Sequence, residues 1–436
     1  MNQLAAWISH AAADAPQAPA LIVGEETLSF ADLSARSRQI PGAGVIVVAG
    51  KSAAELAHFA YASSYAGLPF LPLNSALPPE RREALLTRIG AGVPGAIELL
   101  IATSGSSGDP KCVMLSGVNL AASVAASQHV LPLREGDVWL ACLPLYHIGG
   151  MAILHRCAAA RAVVLLHEGF DAGRVWEDIA SRGVTHISLV PAMLARLLDI
   201  THGAPPPDTL KYALVGGGAL SAQLAARART AGWPLCVTYG MSETGSQLAT
   251  LYPVPANWVP GRVGIPLPGF EVRIAEHDSA GVGAIEVRGP AVMAGYANPE
   301  MRVGDGLADG WLASGDRGHI GEDGALSVLG RRDDMLVSGG VNISPAAIES
   351  RLLDFPGLRD AAVTGVPDEI WGERLVALVV GDVDLAQLDG WCRANLASAE
   401  RPRVLERVAE LPRSALGKLE RPRLRKMAQE LVNDGL

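Results

Sequence analysis

The sequence predicts an α/β protein with a large N-terminal domain of doubly wound sheets, a small β-rich subdomain and a small α+β domain at the C-terminus. Three observations predict this fold class: the chain length, an alternation of apolar strands with helices, and two later changes of residue pattern. The chain has 436 residues, which exceeds the size at which one hydrophobic core stops growing. Hydrophobic residues make up 49% and charged residues 19%, which is typical of a globular chain.

The first half of the chain alternates short apolar runs with Ala/Leu-rich helical segments. The runs that indicate strands are Ile97–Ala102, Val138–Leu143, Ala162–His167, His186–Val190, Leu210–Val215 and Leu235–Thr238. A helix is expected to end at Val130, with Asn119 as its cap. Near-continuous apolar strands separated by helices indicate largely parallel sheets that are covered on both faces.

The residue pattern changes twice after this region. Turn residues become dense after Gly261, which indicates a small unit of β-hairpins. A compact α+β pattern follows residue 333, with a helix near Pro345 and two further helices over about 384–397 and 421–433. The strands expected there are Ala361–Val366 and Leu375–Val380.

A short polar run, Arg331–Asp334, separates the β-rich unit from this last part. We expect the domain boundary there. The N-terminal domain would then span residues 1–331 and the C-terminal domain residues 334–436.

Charge and cysteine usage exclude several classes of protein. The net charge of −9 argues against a nucleic-acid binder, which would have a broad basic face. Positive charge is local: nine Lys/Arg and three Glu lie between Arg401 and Lys426, as either a solvated helix face or an arm that meets phosphates. The five cysteines are scattered and form no C-x-x-C pair, which favours a reducing, cytoplasmic setting. No run of 18 apolar residues predicts a membrane span, and no signal peptide is expected.

A loop rich in glycine and hydroxyl side chains follows the first strand of the alternating region. It runs Thr103, Ser104, Gly105, Ser106, Ser107, Gly108, Asp109, Pro110, Lys111. Backbone N–H groups of such a loop can converge on an anion, and the hydroxyls and the lysine add further donors. The loop is either a phosphate cradle or a flexible surface linker.

A second segment, Thr238–Glu243, also follows a strand. A carboxylate at a strand end suits Mg²⁺, a hard cation that also contacts substrate phosphates. The alternative is a turn with a solvated glutamate. Gly216–Gly218 ends another strand, where it would admit a flat ring or simply make a tight turn.

Two later segments carry acidic and basic residues on predicted turns. In Ser314–Asp316 and Gly330–Asp334, an aspartate can accept bonds from a ribose diol and an arginine can donate to the same oxygens. In Pro412–Lys418, a lysine on a loop could reach a carboxylate and an α-phosphate as they react. Each segment taken alone is equally compatible with ordinary surface charges.

In this order and spacing, the segments resemble the superfamily of acyl-CoA synthetases, adenylation domains and luciferases, from about residue 20 to residue 426. The matching motifs are Thr103–Lys111, Pro144–His147, Tyr239–Glu243, Ser314–Asp316, Gly330–Ile348 and Pro412–Lys418. Within the superfamily the chain resembles the o-succinylbenzoate–CoA ligases of menaquinone synthesis and, equally, the aryl-CoA ligases for halogenated benzoates. The stretches that carry this likeness are Leu143–Arg156, Gly216–Gly218, Thr238–Gln247 and Ser338–Pro345.

The resemblance implies an AMP-forming acid–thiol ligase that uses ATP, Mg²⁺ and coenzyme A to convert a small carboxylic acid into acyl-AMP and then acyl-CoA. It implies that Glu243 binds Mg²⁺ and that Lys418 bridges the substrate carboxylate and the α-phosphate. It places Asp333 at the hinge of a mobile C-terminal domain and His147 beside the acyl group and the incoming thiol.

The resemblance also implies the remaining binding residues. The nucleotide would contact the loop Thr103, Ser104, Gly105, Ser106, Ser107, Gly108 and Lys111, the adenine-side residues Gly217, Gly218, Tyr239, Gly240 and Ser242, and the ribose-binding pair Asp316 and Arg331. The loop Ser338, Gly339, Gly340 would line the channel for the pantetheine of CoA.

The acid itself is the least determined part of this hypothesis. Arg156 could bind the second carboxylate of a succinylbenzoate, or it could extend to solvent from a helix end. Ala102, Cys112, Gly149 and Val341 depart from the family pattern. The resemblance leads us to expect an o-succinylbenzoate–CoA ligase of menaquinone biosynthesis. The alternatives are a benzoate-type or medium-chain acyl-CoA ligase and a stand-alone enzyme that loads a carrier protein, and a homodimer is left open.

Overall fold

The computed structural model describes residues 1–38, 44–89, 93–104, 110–338, 341–368, 370–413, 417 and 419–434. Seven of the predicted site residues lie outside these ranges: Gly105, Ser106, Ser107, Gly108, Gly339, Gly340 and Lys418. Their predicted roles are therefore not tested by the geometry below.

The chain folds into strands and helices that alternate through its first half. The helices are α1 (Gln3–Asp14), α2 (Phe30–Arg36), α3 (Ala53–Ala66), α4 (Pro79–Leu86), α5 (Gly117–Val130), α6 (Ile148–Ala160), α7 (Ala172–Ser181), α8 (Pro191–Ile200), α9 (Ala222–Thr230), α10 (Pro345–Leu352), α11 (Leu385–Asn395) and α12 (Arg421–Asp434). The strands are β1 (Pro19–Val23), β2 (Glu26–Ser29), β3 (Ile46–Gly50), β4 (Phe70–Asn74), β5 (Ile97–Ser104), β6 (Pro110–Ser116), β7 (Val138–Ala141), β8 (Val163–Leu166), β9 (His186–Leu189), β10 (Tyr212–Val215), β11 (Leu235–Met241), β12 (Ser246–Leu251), β13 (Arg262–Gly264), β14 (Glu271–Ala275), β15 (Gly283–Arg288), β16 (Gly295–Tyr296), β17 (Leu312–Ile320), β18 (Leu326–Arg331), β19 (Leu336–Ser338), β20 (Val341–Ile343), β21 (Leu358–Asp368), β22 (Gly372–Gly381) and β23 (Val404–Arg407). Short 3₁₀ turns follow β11 and α11, at Ser242–Thr244 and Ser398–Glu400.

An eight-stranded sheet in the order β12-β11-β10-β9-β7-β8-β1-β2 forms the centre of the large domain. Its inner strands pair in parallel, and only β2 and β12 at the edges run antiparallel to their neighbours. Successive residues of β7 enter different apolar clusters, since Trp139 packs with α1 and α6 whereas Leu140 packs with α7 and α8. The sheet is therefore buried on both faces, as the continuous apolar strands predicted.

A second sheet, in the order β16-β6-β5-β4-β3, packs against the first. Its strands β3, β4 and β5 are parallel, and β5 turns back into β6 as a hairpin. Here too Leu100 and Ile101 face different apolar clusters. The third sheet, β13-β18-β17-β15-β14, is antiparallel throughout and corresponds to the predicted β-rich unit.

The last part of the chain forms the fourth sheet from β19 to β23, covered by α10, α11 and α12. Two apolar clusters there contain only residues from Leu336 onward. One hydrogen bond joins this part to the third sheet: the Ser344 hydroxyl, at the N-cap of α10, donates to the Leu329 carbonyl of β18 at 2.6 Å. The mixed α/β architecture with a small C-terminal domain confirms the predicted fold class.

The predicted cap of α5 is wrong. The helix begins at Gly117, and Ser116 is its N-cap residue. Asn119 occupies the third helical position, where its side chain accepts from the backbone N–H of Ser116 while Ser116 accepts from that of Asn119. Asn119 also donates to the carbonyls of Pro290 and Val292, so its amide joins the helix start to the segment before β16.

All five cysteines are buried and free. Burial raises the pKa of Cys112 and Cys142 to about 12 and that of Cys392 to about 11, and it raises the pKa of Cys157 and Cys236 further still. None of the described helices is both long and apolar enough to cross a bilayer.

Candidate active site

Several predicted motifs meet at one edge of the eight-stranded sheet. Because parallel strands share the direction of their carboxyl ends, the segments that follow β7, β9, β10 and β11 emerge on the same side. The first three segments are Leu143–His147, Val190–Ala192 and Gly216–Gly218. The fourth is the turn Ser242–Thr244, which completes the motif Tyr239–Glu243 that begins on β11. This edge is where ligands bind in open α/β sheets.

Tyr239, Asp316 and Arg331 form one hydrogen-bonded cluster. The Tyr239 hydroxyl donates to Oδ2 of Asp316 at 2.5 Å, and Arg331 Nε lies 3.2 Å from Oδ1. The register of β17 and β18 pairs Asp316 directly with Arg331, which brings the two predicted ribose residues together. Asp316 is 8% exposed, whereas the Arg331 side chain is half-exposed. Burial holds the pKa of Tyr239 well above its ordinary value and the Asp316 carboxylate adds to this effect, so the phenol is a donor at neutral pH.

Gly240 follows Tyr239 at an irregularity in the pairing of β11 with β12. A Cβ atom at this position would lie 1.7 Å from the Ser246 carbonyl oxygen, so only glycine fits without moving the backbone. The chain then enters the 3₁₀ turn Ser242–Thr244, which presents Glu243 beyond the strand end. Gly217 and Gly218 are exposed at the neighbouring strand end.

Glu243 contacts a tyrosine that the sequence motifs did not single out. The Tyr296 hydroxyl donates to Oε1 of Glu243 at 2.8 Å, and Lys111 Nζ lies 4.8 Å from the centre of the Tyr296 ring. Burial and the Glu243 carboxylate raise the pKa of Tyr296, and the charge of Arg331 opposes them. Tyr296 lies on the two-residue strand β16, and a strand this short has no periodicity by which it could have been found.

The phosphate-loop residues that are described lie next to this cluster. Thr103 and Lys111 face each other in the register of the β5–β6 hairpin, and Ser104 ends β5 opposite Pro110. The loop predicted to bind phosphates therefore begins and ends beside Tyr296 and Glu243. The positively charged Lys111 side chain is exposed at its end.

The donor set is compatible with Mg²⁺. In the described ranges no group of three His, Cys, Asp or Glu side chains could hold a metal ion by itself. Mg²⁺ keeps several waters and is usually bound by one or two carboxylates together with substrate phosphates, so the single carboxylate of Glu243 beside the phosphate loop suits it. Glu243 Oε1 accepts from Tyr296, and the carboxylate has further lone pairs.

His147 caps the start of α6, and Arg156 lies in the second half of the same helix. His147 is the N-cap residue of this helix and contacts Tyr146, with ring centroids 4.7 Å apart. Arg156 follows nine residues later, about 13 Å along the helix axis, and helical side chains lean towards the N-terminus, which shortens this separation. His147 is half-buried.

Arg156 is buried, which rules out the alternative in which it extends to solvent. Its side chain is 3% exposed and its guanidinium lies 5.4 Å from the centre of the Trp139 ring. In the part of the chain that the structure describes, Nε and Nη2 are buried without a hydrogen-bond partner. Burial lowers the pKa of Arg156 to about 10, which leaves the group charged at neutral pH. Burying a charged group without hydrogen-bond partners is costly, so Nε and Nη2 could accommodate an anionic group from a ligand.

The remaining predicted residues lie towards the C-terminal part. Asp333 is exposed in the turn between β18 and β19, and Ser338 is buried at the end of β19, where it pairs with Gly372. Gly417, which precedes Lys418, packs on the start of α8: a Cβ atom there would lie 3.4 Å from the Cβ of Ala192. Gly218 packs on Pro191, the first residue of the same helix. Gly417 therefore lies near the strand end that is predicted to border adenine.

Comparisons with known proteins agree with this geometry. The AMP-binding enzyme family matches residues 92–297, and the AMP-binding enzyme C-terminal domain matches residues 347–418. The chain is 40% identical over 339 residues to a 2-succinylbenzoate–CoA ligase of Bacillus mycoides, covering 76% of this chain and 70% of that protein. A protein of the same name from Bacillus cytotoxicus is 39% identical over 337 residues, with the same coverage.

Solved structures of similar fold include CoA synthetases bound to an acyl-adenylate or to ATP. The o-succinylbenzoate CoA synthetase of Bacillus subtilis in complex with the acyl-adenylate intermediate OSB-AMP has a TM-score of 0.85 and 30% identity, covering 96% of this chain and 97% of that one. Its complex with ATP and a magnesium ion has a TM-score of 0.84 and 30% identity, with 97% and 99% covered. ATP-bound MatB from Rhodopseudomonas palustris has a TM-score of 0.85 and 25% identity, with 99% and 100% covered. This chain belongs to the AMP-binding enzyme family, the adenylate-forming acyl-CoA synthetases.

Proposed function

We propose that the protein is an ATP-dependent carboxylic acid–CoA ligase that forms an acyl-adenylate and then an acyl-CoA, and that its acid is 2-succinylbenzoate. The names of the relatives support the reaction and the acid. The observation that carries the choice of acid is the buried side chain of Arg156, whose Nε and Nη2 have no hydrogen-bond partner among the described residues.

An acid with two carboxylates explains Arg156 better than an acid with one. One carboxylate must be activated at the nucleotide, so a monocarboxylic acid has no second charge for a buried cation. 2-Succinylbenzoate carries a carboxylate at each end, and an arginine can bind one of them through two parallel N–H donors. Nε and Nη2, the two unpartnered nitrogens, belong to such a fork.

The roles of the nucleotide residues follow from their contacts. Asp316 would accept from the ribose hydroxyls, and Tyr239 and Arg331 hold its carboxylate in place. Thr103 and Lys111 begin and end the loop that would contact the phosphates. Glu243 would bind Mg²⁺, which neutralises phosphate charge when bound. Gly217, Gly218, Gly240 and Ser242 would border the adenine side of the nucleotide.

Two anions must approach each other in the first half-reaction, because a carboxylate attacks an anionic α-phosphate. Lys418 would lie between them and stabilise the charge of the transition state. The contact of its neighbour Gly417 with Ala192 supports this role. His147, at the N-cap of α6, would lie beside the acyl group and the incoming thiol.

We also propose that residues 1–331 form the nucleotide- and acid-binding domain and residues 334–436 a mobile domain. The separate apolar clusters from Leu336 onward support this division. The exposed turn at Asp333 would act as the hinge, and rotation would bring Ser338, Gly339 and Gly340 to the pantetheine of CoA. A cytoplasmic location, supported by the five free cysteines, and a homodimer stay predictions.

The test is an ATP-dependent screen of acids with free CoA, in which AMP and thioester are both measured. We expect 2-succinylbenzoate to give both products at a higher kcat/KM than benzoate, halogenated benzoates or medium-chain fatty acids. Equal or better turnover of a monocarboxylic acid would contradict the assigned acid. Release of pyrophosphate with neither AMP nor thioester would instead favour a carrier protein as the acceptor.

A further inference from the structure

Tyr296 contacts two residues with different predicted roles. Its hydroxyl donates to Glu243, the predicted Mg²⁺ ligand, and its ring lies beneath the ammonium of Lys111, which ends the predicted phosphate loop. Glu243 lies in the turn after β11 of the first sheet, whereas Lys111 lies on β6 of the second sheet. Tyr296 therefore connects the two sheets at the point where the triphosphate is expected.

The backbone around Tyr296 holds its ring in a fixed position. Strand β16 pairs Tyr296 with Val113 of β6, and its backbone N–H donates to the Asp305 carbonyl at 3.0 Å. Gly306 lies against the ring, since a Cβ atom there would be 2.5 Å from Cδ2 of Tyr296. The Met293 N–H donates to the Glu243 carbonyl at 2.7 Å, which ties the turn of Glu243 to the same segment.

The hydroxyl bond restricts the Glu243 carboxylate. A glutamate side chain has several rotatable bonds, and a donor at Oε1 removes most of this freedom before any ligand arrives. The other oxygen, Oε2, would be available to a cation. The ring contact likewise restricts Lys111, whose flexible chain would otherwise sample many positions.

We propose that Tyr296 is a positioning residue that orients Glu243 for Mg²⁺ and Lys111 for the phosphates, so that metal and triphosphate bind as one unit. This inference rests on the proposed function, since it needs a nucleotide triphosphate in the site. It assigns Tyr296 no contact with the reacting atoms. Its effect should therefore appear in Mg²⁺-dependent binding of ATP and be absent from the binding of AMP, which has no β- or γ-phosphate.

Two substitutions separate the hydroxyl from the ring. Tyr296→Phe removes the bond to Glu243 and keeps the ring beneath Lys111, whereas Tyr296→Leu removes both. Tyr65→Phe is the matched control: Tyr65 also bonds through its hydroxyl, to Ser34, and also has an arginine, Arg38, over its ring. ATP and AMP affinities are measured by calorimetry across a Mg²⁺ titration, without acid or CoA.

For Tyr296→Phe we expect about a 10-fold rise in the Mg²⁺ concentration that half-saturates ATP binding, with AMP affinity and Tm close to wild type. Tyr296→Leu should weaken ATP binding further, and Tyr65→Phe should change neither ligand. An unchanged Mg²⁺ dependence in both Tyr296 variants, or equal losses of ATP and AMP, would overturn the inference. Failure of the wild-type protein to bind ATP with Mg²⁺ would instead contradict the proposed function.

Discussion

The cluster of Tyr239, Asp316 and Arg331 differs from the surroundings of Arg156 in whether a buried charged group has partners within the protein. Asp316 is bonded by Tyr239 and paired with Arg331 before any ligand is present. Arg156 is more buried than Asp316, yet none of the described residues contributes a partner to its Nε or Nη2. The first region has its hydrogen-bond partners in the protein itself, whereas we propose that an anionic group of the acid completes the second.

This difference matches the two kinds of substrate: ATP is the same in every reaction, whereas the acid determines specificity. ATP is common to every turnover, and a prearranged network lowers the cost of binding it each time. In the proposed function, the buried cation of Arg156 would select for an acid that brings a second negative charge, because any other acid would leave Nε and Nη2 without a partner. The following substitutions test this contrast from the largest expected effect to the smallest.

Removing the Asp316 carboxylate, which Tyr239 and Arg331 both contact, should impair the reaction with every acid. Asp316→Ala deletes the proposed acceptor for the ribose and removes the carboxylate that both Tyr239 and Arg331 contact. Two charge-assisted bonds to the ribose are lost, so we expect kcat/KM for ATP to fall on the order of 10²–10³-fold with every acid. The free energy of unfolding should fall by about 1–3 kcal/mol, measured by denaturant titration.

Asp323→Ala is the control for this substitution. Asp323 lies on the β17–β18 turn, its side chain is exposed, and it pairs with Arg262. We expect a change of less than about 1 kcal/mol in stability and none in kcat/KM. A loss that depended on the acid would show that Asp316 does not act through the nucleotide.

Removing the buried charge of Arg156 should raise the stability of the free protein. Arg156→Met keeps much of the apolar contact with Trp139 and deletes a buried charge. Without ligand, the free energy of unfolding should rise by about 1–3 kcal/mol. The kcat/KM for 2-succinylbenzoate should fall roughly 10- to 100-fold, while that for benzoate stays near the wild-type value.

The pH dependence of the free energy of unfolding gives a second test of the buried charge of Arg156. The pKa of Arg156 is lowered to about 10 by burial, below the value in the unfolded chain. The unfolded state therefore binds the proton more tightly, so the stability of the wild type should rise as the pH increases through this value. Arg161→Met is the control for Arg156→Met, because Arg161 is the C-cap of α6 and is exposed and paired with Asp14 and Glu135. If Arg156→Met lowered kcat/KM equally for 2-succinylbenzoate and benzoate, the proposed role of Arg156 in acid binding would be rejected.

The smallest expected effect comes from Tyr239→Phe. The variant keeps the ring beside the strand end and removes one donor to a carboxylate that still has Arg331. One charge-assisted bond of this kind contributes about 1.5 kcal/mol, so KM for ATP should rise roughly tenfold with kcat and acid preference unchanged. A change in acid preference would mean that the two regions are not independent.

The sequence predicted the parts of the fold and the site that depend on continuous patterns. Apolar strands between helices marked the parallel sheet, and glycine and acidic residues at strand ends marked the edge at which the motifs meet. The register of β17 and β18, which joins Asp316 to Arg331, could not be read from the chain, because pairing is decided by the sheet as a whole.

Other features depend on contacts between distant segments. Tyr296 escaped notice because its partners, Glu243 and Lys111, belong to other strands and its own strand has two residues. Asn119 was expected to cap α5, yet Ser116 does so, because a serine three positions earlier forms the reciprocal pair. The burial of Arg156 was likewise undecided, since an arginine on a helix is usually exposed and only packing against Trp139 covers it.

The buried cysteines have a practical consequence for the study of this protein. Burial holds the pKa of each thiol far above neutral, so almost no thiolate is present to react with a colorimetric disulfide reagent. The free thiol of coenzyme A, by contrast, is open to solvent. Colour development in a stopped reaction mixture should therefore report the cofactor that has not been consumed, with little background from the folded enzyme.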